Sequence, residues 1–276
     1  MRKTSIYQIF YDQETRKNLD AGFIPLDNSK NERPDWFEFW VIRNYLLRNK
    51  LDEDRWYGFL SPSFLKKTGV TSKAVYDLLV EIDAQCDVLL ISFGWDQSSY
   101  FLNCFEQGEF WHPGLVHSSE NFFQASGIDF DMKNYVGSTQ NTVFSNFIFG
   151  KRDYWEKWLS LANSLFSYFE SRNVPSSRRA SALTTYGSDE NLAPMKAFIQ
   201  ERLVSVLLAR EKFRVLAADI SGNVLVFDRI FFDSSRTRHL LYTCDIMKQE
   251  YRSSRDVRYL EMYWKVRNLV PLRGRE

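Results

Sequence analysis

A chain of 276 residues, 44 % hydrophobic and 26 % charged, has the composition of a globular protein and is long enough to bury a substantial core. Its formal net charge of +1 argues against a general nucleic-acid binder, which carries a strong basic excess. No run approaches the roughly 20 apolar residues that span a bilayer. The opening MRKTSIYQIFYDQE is interrupted by Asp12 and Glu14 before it could act as a signal peptide, and three widely spaced cysteines (Cys86, Cys104, Cys244) outline neither a disulfide framework nor a zinc site. A reducing cytoplasm fits this pattern.

In chain order, Ile6-Tyr7-Gln8-Ile9-Phe10-Tyr11 is a short β-favouring run that predicts a buried first strand. The polar stretch after it, punctuated by Gly22 and Pro25 and continuing through residues 27–34, reads as loop. Pro34 then opens a helix from Asp35 to about Leu47, whose aromatic and aliphatic positions cover every face, so burial on all sides is expected. Trp56-Tyr57-Gly58-Phe59-Leu60 is a second strand, Ala74 to Ile82 a short amphipathic helix, and Asp87 to Ser92 the clearest buried strand. Strands and helices alternating at these spacings predict βαβ units and a largely parallel sheet. Short helices and loops are expected over residues 96 to 142, then a short strand from Asn146 to Gly150. From Tyr154 to Phe169 one stripe holds Trp155, Trp158, Leu159, Ala162, Leu165, Phe166 and Phe169, as in an amphipathic helix. The polar stretch from Pro175 to Ser188 reads as a mobile excursion. Pro194 starts a helix to about Arg210, and Phe213–Ala217 and Val224–Phe227 read as closing strands.

No metal motif, P-loop, G-x-G-x-x-G or G-x-S-x-G is present. His112 and His117 flank Pro113-Gly114, where structural roles outweigh a metal pair. Asp27-Asn28 with Asn31 stands just before the aromatic helix. In open parallel sheets, ligands gather beyond the carboxyl ends of strands and against helix N-termini, although Asp and Asn are also ordinary turn residues. Glu38 lies one turn into that apolar helix. Polar burial costs roughly 2–7 kcal/mol, so this carboxylate is either paired, with Arg43 or Arg33, or functional. Arg202 falls inside the stripe of Met195, Phe198, Ile199, Leu203, Val206 and Leu207, and Glu201 faces the other way among Ala197, Val204 and Leu208. Desolvation raises a buried carboxylate's pKa, which makes Glu201 a candidate base, with a structural ion pair as the alternative. Asp96, just past the clearest strand, is a second catalytic candidate by position. Asp129-Phe130-Asp131 has the D-x-D form that can hold a divalent cation against diphosphate oxygens, though no convincing strand precedes it.

The order Ile6-Tyr7-Gln8-Ile9, Leu26-Asp27-Asn28 with Asn31, Trp36-Phe37-Glu38-Phe39-Trp40 with Arg43-Asn44, and Trp56-Tyr57-Gly58-Phe59 resembles a group of bacterial glycosyltransferase-like domains from surface-polysaccharide loci. Asn146-Phe147-Ile148-Phe149 ahead of the Trp155–Trp158 helix, and Glu201-Arg202-Leu203, are similar to later elements of that group; the likeness runs over about residues 5 to 220. It implies a GT-A-like fold, a Rossmann-type nucleotide-binding half merged with an acceptor-binding half. It also implies transfer of a sugar from a nucleotide-sugar to a growing lipopolysaccharide O-antigen or capsule glycan, with Mg²⁺ or Mn²⁺ as the cofactor to consider. Asp27, Asn28 and Asn31 would contact the nucleotide, Glu38 would support that wall, and Ser61 and Ser63 would lie near the phosphates. Glu201 would be the general base if the reaction inverts, and structural if it retains. One departure stands out: relatives carry a His-Tyr-Arg-Arg cluster where this chain has Leu60-Ser61-Pro62-Ser63-Phe64. Donor binding would then fall to Arg33, Lys30, Arg202 or a metal. Aromatic content of 16 % suits both a core and sugar-stacking walls.

Two parts are expected: residues 1–235 as the GT-A-like domain and 236–276 as a helical extension. Residues 250–276 carry seven Arg or Lys against four Asp or Glu, interleaved with Tyr259, Leu260, Tyr263, Trp264 and Val266. That suits an anionic membrane surface presenting a lipid-linked acceptor at the inner face of the plasma membrane, or a terminal helix packed on the domain. Two other readings stay open: a catalytically inactive binding or scaffold protein of a polysaccharide assembly complex, and a nucleotide-dependent transferase acting on something other than a sugar.

Overall fold

The computed structural model describes residues 4–82, 84, 86–171, 183–186, 188–224 and 227–273. The first apolar run forms β1 (Thr4–Phe10), with Ile6 packed on one face of a sheet and Tyr7 and Ile9 on the other. A short helix, α1 (Gln13–Lys17), follows behind a reciprocal capping box between Asp12 and Thr15. The chain then enters β2 (Ile24–Asp27), which pairs parallel with β1 from Tyr7 opposite Ile24 to Phe10 opposite Asp27. Sequence reading takes this segment for loop. An edge strand needs no apolar alternation and tolerates Pro25, so its usual signal is missing.

A 3₁₀ turn, Pro34–Trp36, runs into α2 (Phe37–Arg48). Phe39, Val41, Ile42 and Leu46 are buried, but Leu47 is exposed and Arg43 Nε donates to Asn163 Oδ1 at 2.7 Å, so α2 is not enclosed on every side as its composition implies. Next come β3 (Trp56–Leu60), α3 (Phe64–Thr68), α4 (Ser72–Ile82) and β4 (Val88–Leu90). The middle of the chain holds the expected short helices α5 (Trp95–Tyr100), α6 (Cys104–Trp111) and α7 (Leu115–Ala125). They are followed by β5 (Ile148–Gly150) and the long α8 (Arg152–Glu170). Most of the polar stretch after α8 lies outside the described residues; its end enters a hairpin of β6 (Leu183–Tyr186) and β7 (Ser188–Pro194). The chain closes with α9 (Met195–Arg210), β8 (Val215–Ala217), α10 (Ser235–Ser254) and α11 (Val257–Arg267). Val224 and Phe227, expected in a last strand, sit in loop, and residues 225 and 226 lie outside the described set.

The main sheet runs β2-β1-β3-β5-β4-β8 and is parallel except for β5, which is antiparallel to both its neighbours. It is thus an α/β fold with a mostly parallel sheet between helices. Alternate residues feed two cores. Tyr57, Phe59, Val88, Leu90 and Ile148 pack toward α2, α8 and α9, whereas Trp56, Leu60, Leu89, Phe147 and Phe149 pack toward α3 and α4. Burial on both faces explains why β3 and β4 read as continuous apolar runs. Gly58 is demanded by this packing: a Cβ there would lie 2.8 Å from Phe149 Cδ1 and 3.3 Å from the Ile148 carbonyl oxygen.

A third core joins α5 to α10 and α11. Tyr263 is fully buried and donates to the Tyr100 carbonyl at 2.7 Å, while Arg267 pairs with Glu106 at 2.7 Å. The buried Lys248 ammonium donates to the carbonyls of Ser98 and, at 2.6 Å, Phe101. The inner side of the terminal helices is therefore locked onto the domain. Among the described residues, no helix is long and apolar enough to cross a membrane.

Candidate functional site

The carboxyl ends of β1, β3, β4 and β8 and the amino end of β5 face the same edge of the sheet, which is where open α/β sheets bind ligands. Glu201 of α9 stands over the middle of that edge. Its neighbour Gln200 reaches Asn146 Oδ1, just ahead of β5, at 3.4 Å. The Glu201 side chain keeps 32 % of its surface open, unlike its neighbours Arg202 and Leu203, which are buried. Burial pushes its carboxyl up to about 7, with Glu38 adding to the effect and Arg202 and Lys67 opposing it. Lys67 comes from α3, one helical turn past Ser63, and its ammonium lies 4.8 Å from the Phe93 ring centre beyond β4. Glu38 comes from the first turn of α2. Phe37, immediately before it, holds φ +46° and ψ −137°, a conformation costly for an L-residue and typical of places where function constrains the backbone. A partly open carboxyl that titrates at about 7 can take a proton from a neutral hydroxyl.

Asp27 and Asn28 line a cavity of about 400 Å³ between the end of β2 and the outward side of α2. Trp40, Lys30 and Arg48 line it too. Asn28 is buried, and its Nδ2 has no hydrogen-bond partner among the described residues. Asp27 is exposed and receives the Ser29 N–H at 2.8 Å. Asn31 does not line the cavity: it sits at φ +40° and donates its N–H to the Asn28 carbonyl, which makes it a turn residue. Glu38 is not part of this wall either; the lining of α2 begins at Trp40, and Glu38 acts on Glu201 instead. Neither arginine considered for Glu38 is its partner, since Arg33 binds Asp35 and Glu170 and Arg43 binds Asn163. Ser61 and Ser63, past the end of β3, hold their hydroxyls 3.1 Å apart, and Ser61 is buried with its carbonyl accepting from Gln8 Nε2 at 3.3 Å.

Two expected site residues turn inward. Arg202 is buried and donates to the carbonyls of Cys104 (2.9 Å) and Phe198 (2.6 Å) and to Gln107 Oε1 (2.6 Å). It locks α9 to α6 and cannot reach a donor, which corrects its assignment to the donor site. Asp96 is also buried, and its carboxylate accepts the Phe227 N–H at 2.5 Å. Burial pushes this carboxyl up to about 6, but an acceptor hydroxyl has no access to it. Asp129 and Asp131 are exposed in the turn after α7, and Asp131 is spent on the N–H groups of Lys133 and Asn134. The pair does not fit a cation-holding role, and no cluster of three His, Cys, Asp or Glu suited to a metal occurs among the described residues. His112 stacks on Phe198 at 3.6 Å while His117 contacts Asn121, so the two histidines do not converge.

Sequence reasoning missed Lys67. The signal was a cation within a few residues of the end of a parallel strand, in a segment that Ser61-Pro62-Ser63 marks only as a break. Comparison with protein-family models, with curated proteins and with solved structures found no match, so the chemistry of this site stands on its own residues.

Proposed function

We propose that the protein is a GT-A-like glycosyltransferase in which Glu201 is the general base. The acceptor hydroxyl oxygen bonds to the anomeric carbon of a nucleotide-sugar, its proton passes to Glu201, and the bond to the diphosphate breaks with the electron pair leaving on the phosphate oxygen. The observation that carries this reading is the Glu201 side chain, about one third open and with its carboxyl pushed to about 7, on the helix that reaches Asn146 at the centre of the sheet's carboxyl-end edge, where the Lys67 charge also acts on it. Lys67 offers the developing phosphate charge a cation where the Leu60-Ser61-Pro62-Ser63-Phe64 segment has none. Asp27, Asn28 and Trp40 would receive the nucleoside, with Lys30 and Arg48 lining the same cavity. The single antiparallel strand inside a parallel sheet supports the GT-A-like arrangement. On the outer side of α11, Val257, Met262 and Trp264 are exposed in a run that also holds Arg258 and Lys265. This supports contact with an anionic membrane surface carrying a lipid-linked glycan acceptor.

Thermal unfolding in the presence of UDP-, GDP-, CMP- and dTDP-sugars, with and without Mg²⁺ or Mn²⁺, tests the reading. One nucleotide class is expected to stabilise the fold, by about 2.7 kcal/mol at a concentration of about 100 Kd. No stabilisation by any of them overturns it. The loss of the basic cluster favours a second reading, an inactive binding protein of the same fold. Nucleotide binding without turnover on any glycan acceptor would support that one.

A further inference from the structure

Where β4 and β8 end side by side, a second cavity of about 330 Å³ opens between α5 and α10. We infer that it binds a neutral, hydroxyl-rich sugar residue. The sugar assignment stands on the cavity's own chemistry; its role as the acceptor subsite rests on the transferase reading above.

Three lining residues of one wall, Ser92, Trp95 and Ser98, bury polar atoms that have no partner among the described residues: Ser92 Oγ, Trp95 Nε1 and Ser98 Oγ. Buried polar atoms without partners are rare in native proteins, and three in the residues of one wall would be satisfied by a ligand whose acceptors meet them once these side chains turn toward the cavity. The opposite requirement comes from two lining carboxylates. Asp245 accepts the Thr139 N–H at 2.9 Å on one oxygen and the Thr139 hydroxyl and Gln249 Nε2, both at 2.6 Å, on the other, and Asp219 binds Ser221 through Oδ1 alone. Carboxylates accept and cannot donate.

Among the described residues the lining includes no Lys, Arg or His. Arg238 lies over the Trp95 ring at 5.8 Å but is bound to Asp233 and stands outside the lining, and Lys248 is spent on backbone carbonyls. An anion would meet two carboxylates and no cation. A simple ammonium would suit the carboxylates but gives the Trp95 N–H nothing to bind, since it carries no acceptor. A hydroxyl both donates and accepts, so a polyol satisfies both demands at once. Tyr242, stacked on Trp95 at 4.9 Å and 17°, fixes the indole edge, and Ala218, Ile220 and Ile246 give the apolar surface that the C–H faces of a sugar ring need. The volume lies at the small end of ligand pockets, which run from about 300 to 1,000 Å³.

The test uses the full chain and the methyl glycosides of glucose, galactose, mannose, rhamnose and N-acetylglucosamine. Binding is followed by saturation-transfer NMR and calorimetry, without nucleotide. At least one glycoside is expected to bind. The double substitution Ser92→Ala with Ser98→Ala is expected to leave thermal stability unchanged or raise it, since neither hydroxyl has a partner among the described residues. The same change should weaken the glycoside about tenfold, the equivalent of about 1.4 kcal/mol. A merely structural role for the serines would lower stability and leave binding alone. Absence of glycoside binding overturns the inference, even where a nucleotide-sugar stabilises the fold. Equal binding by the double variant, or tighter binding of glucose 1-phosphate or tetramethylammonium than of any glycoside, also overturns it. Glycoside binding lost in the double variant, with no nucleotide recognised, upholds the sugar cavity and removes the transferase.

Discussion

Glu201→Gln separates a working carboxylate from a structural ion pair, because the two demand opposite changes in stability. The folded protein holds this carboxyl at about 7, against 4.5 for an unfolded glutamate, mainly because burial disfavours the charged form. A raised carboxyl means that between those values the unfolded chain releases a proton which the native state keeps. Stability therefore falls as pH rises from about 4.5 to about 7 and stays low above it. At 1.36 kcal/mol per pH unit, the ceiling is about 3 kcal/mol. The side chain is 32 % open to water, so about 1–2 kcal/mol is the fair expectation. Glutamine has the same shape and no charge. The variant should be more stable than the parent by that amount near pH 8, or about 2–6 °C in Tm, and should converge with it near pH 4.5. Thermal and urea unfolding of both proteins across that range measure it. If Glu201 instead serves Arg202, which it approaches at 3.8 Å, the variant loses stability at pH 8. That result, or a difference that does not vary with pH, refutes the reasoning. As base, Glu201 also predicts turnover that falls about tenfold per pH unit below about 7 and drops by 10² or more in the glutamine variant.

Four further outcomes follow from the geometry. Arg202→Met strands the Cys104 and Phe198 carbonyls and Gln107 Oε1, and should lower stability by about 3–5 kcal/mol in urea unfolding; a loss under about 1 kcal/mol would remove its role as a lock. Gly58→Ala forces a methyl against Phe149 and the Ile148 carbonyl, so about 1–3 kcal/mol should be lost, and an unchanged Tm would show that the sheet yields there. Asp35 is opposed by burial, but hydrogen bonds from Arg33 and Lys196 outweigh it and hold its carboxyl at about 2, below the 3.8 of the unfolded chain. Its stabilisation is present above 3.8 and lost as pH falls toward 2, so the gap between parent and Asp35→Asn should close over that window; a gap constant in pH counts against it. Val257→Ser with Met262→Ser should weaken sedimentation with anionic vesicles several-fold while leaving Tm alone, because the anchoring Tyr263 is untouched; equal sedimentation would end the membrane role.

What the sequence carried depended on whether the signal was local. β4 was legible because Val88, Leu89, Leu90 and Ile91 are buried on alternate faces and so form an unbroken apolar run. β2 was not, because an edge strand with Pro25 and exposed side chains has no such run. The direction of β5 was not, since three residues from Ile148 to Gly150 look alike read either way. The helical projection of α9 put Arg202 inside the apolar stripe, and that is where it lies. The expectation that it binds a donor ignored what such a position requires, which is carbonyl partners within the protein. The resemblance placed Glu38 behind Asp27 and Asn28, whereas its charge acts on Glu201 of α9. The second cavity draws Ser92, Trp95, Asp219 and Asp245 from three distant segments, and no spacing rule announces a juxtaposition that only the pairing of β4 with β8 creates.

The two cavities differ in what they can hold, and Glu201 belongs to the lining of neither. The strand order places β2 at one margin of the sheet and β8 at the other, with β3 and β5 in the middle, beneath Lys67, Asn146 and Glu201. On the β2 side Lys30 and Arg48 offset the lining carboxylates Asp27 and Glu32, so an anionic ligand has cationic partners there. On the β8 side the lining charges among the described residues are Asp219 and Asp245, so the same anion is repelled. A site that joins an anionic donor to a neutral acceptor has to keep each out of the other's place, and rejection by like charge does this without any added contact. If Glu201 is the base, both substrates must also meet within hydrogen-bond reach of one carboxylate. If it is the base, a carboxylate over the middle of the edge, with the Lys67 charge coming from α3 on the β3 side, would take a proton from the β8 side while the leaving charge develops toward that cation.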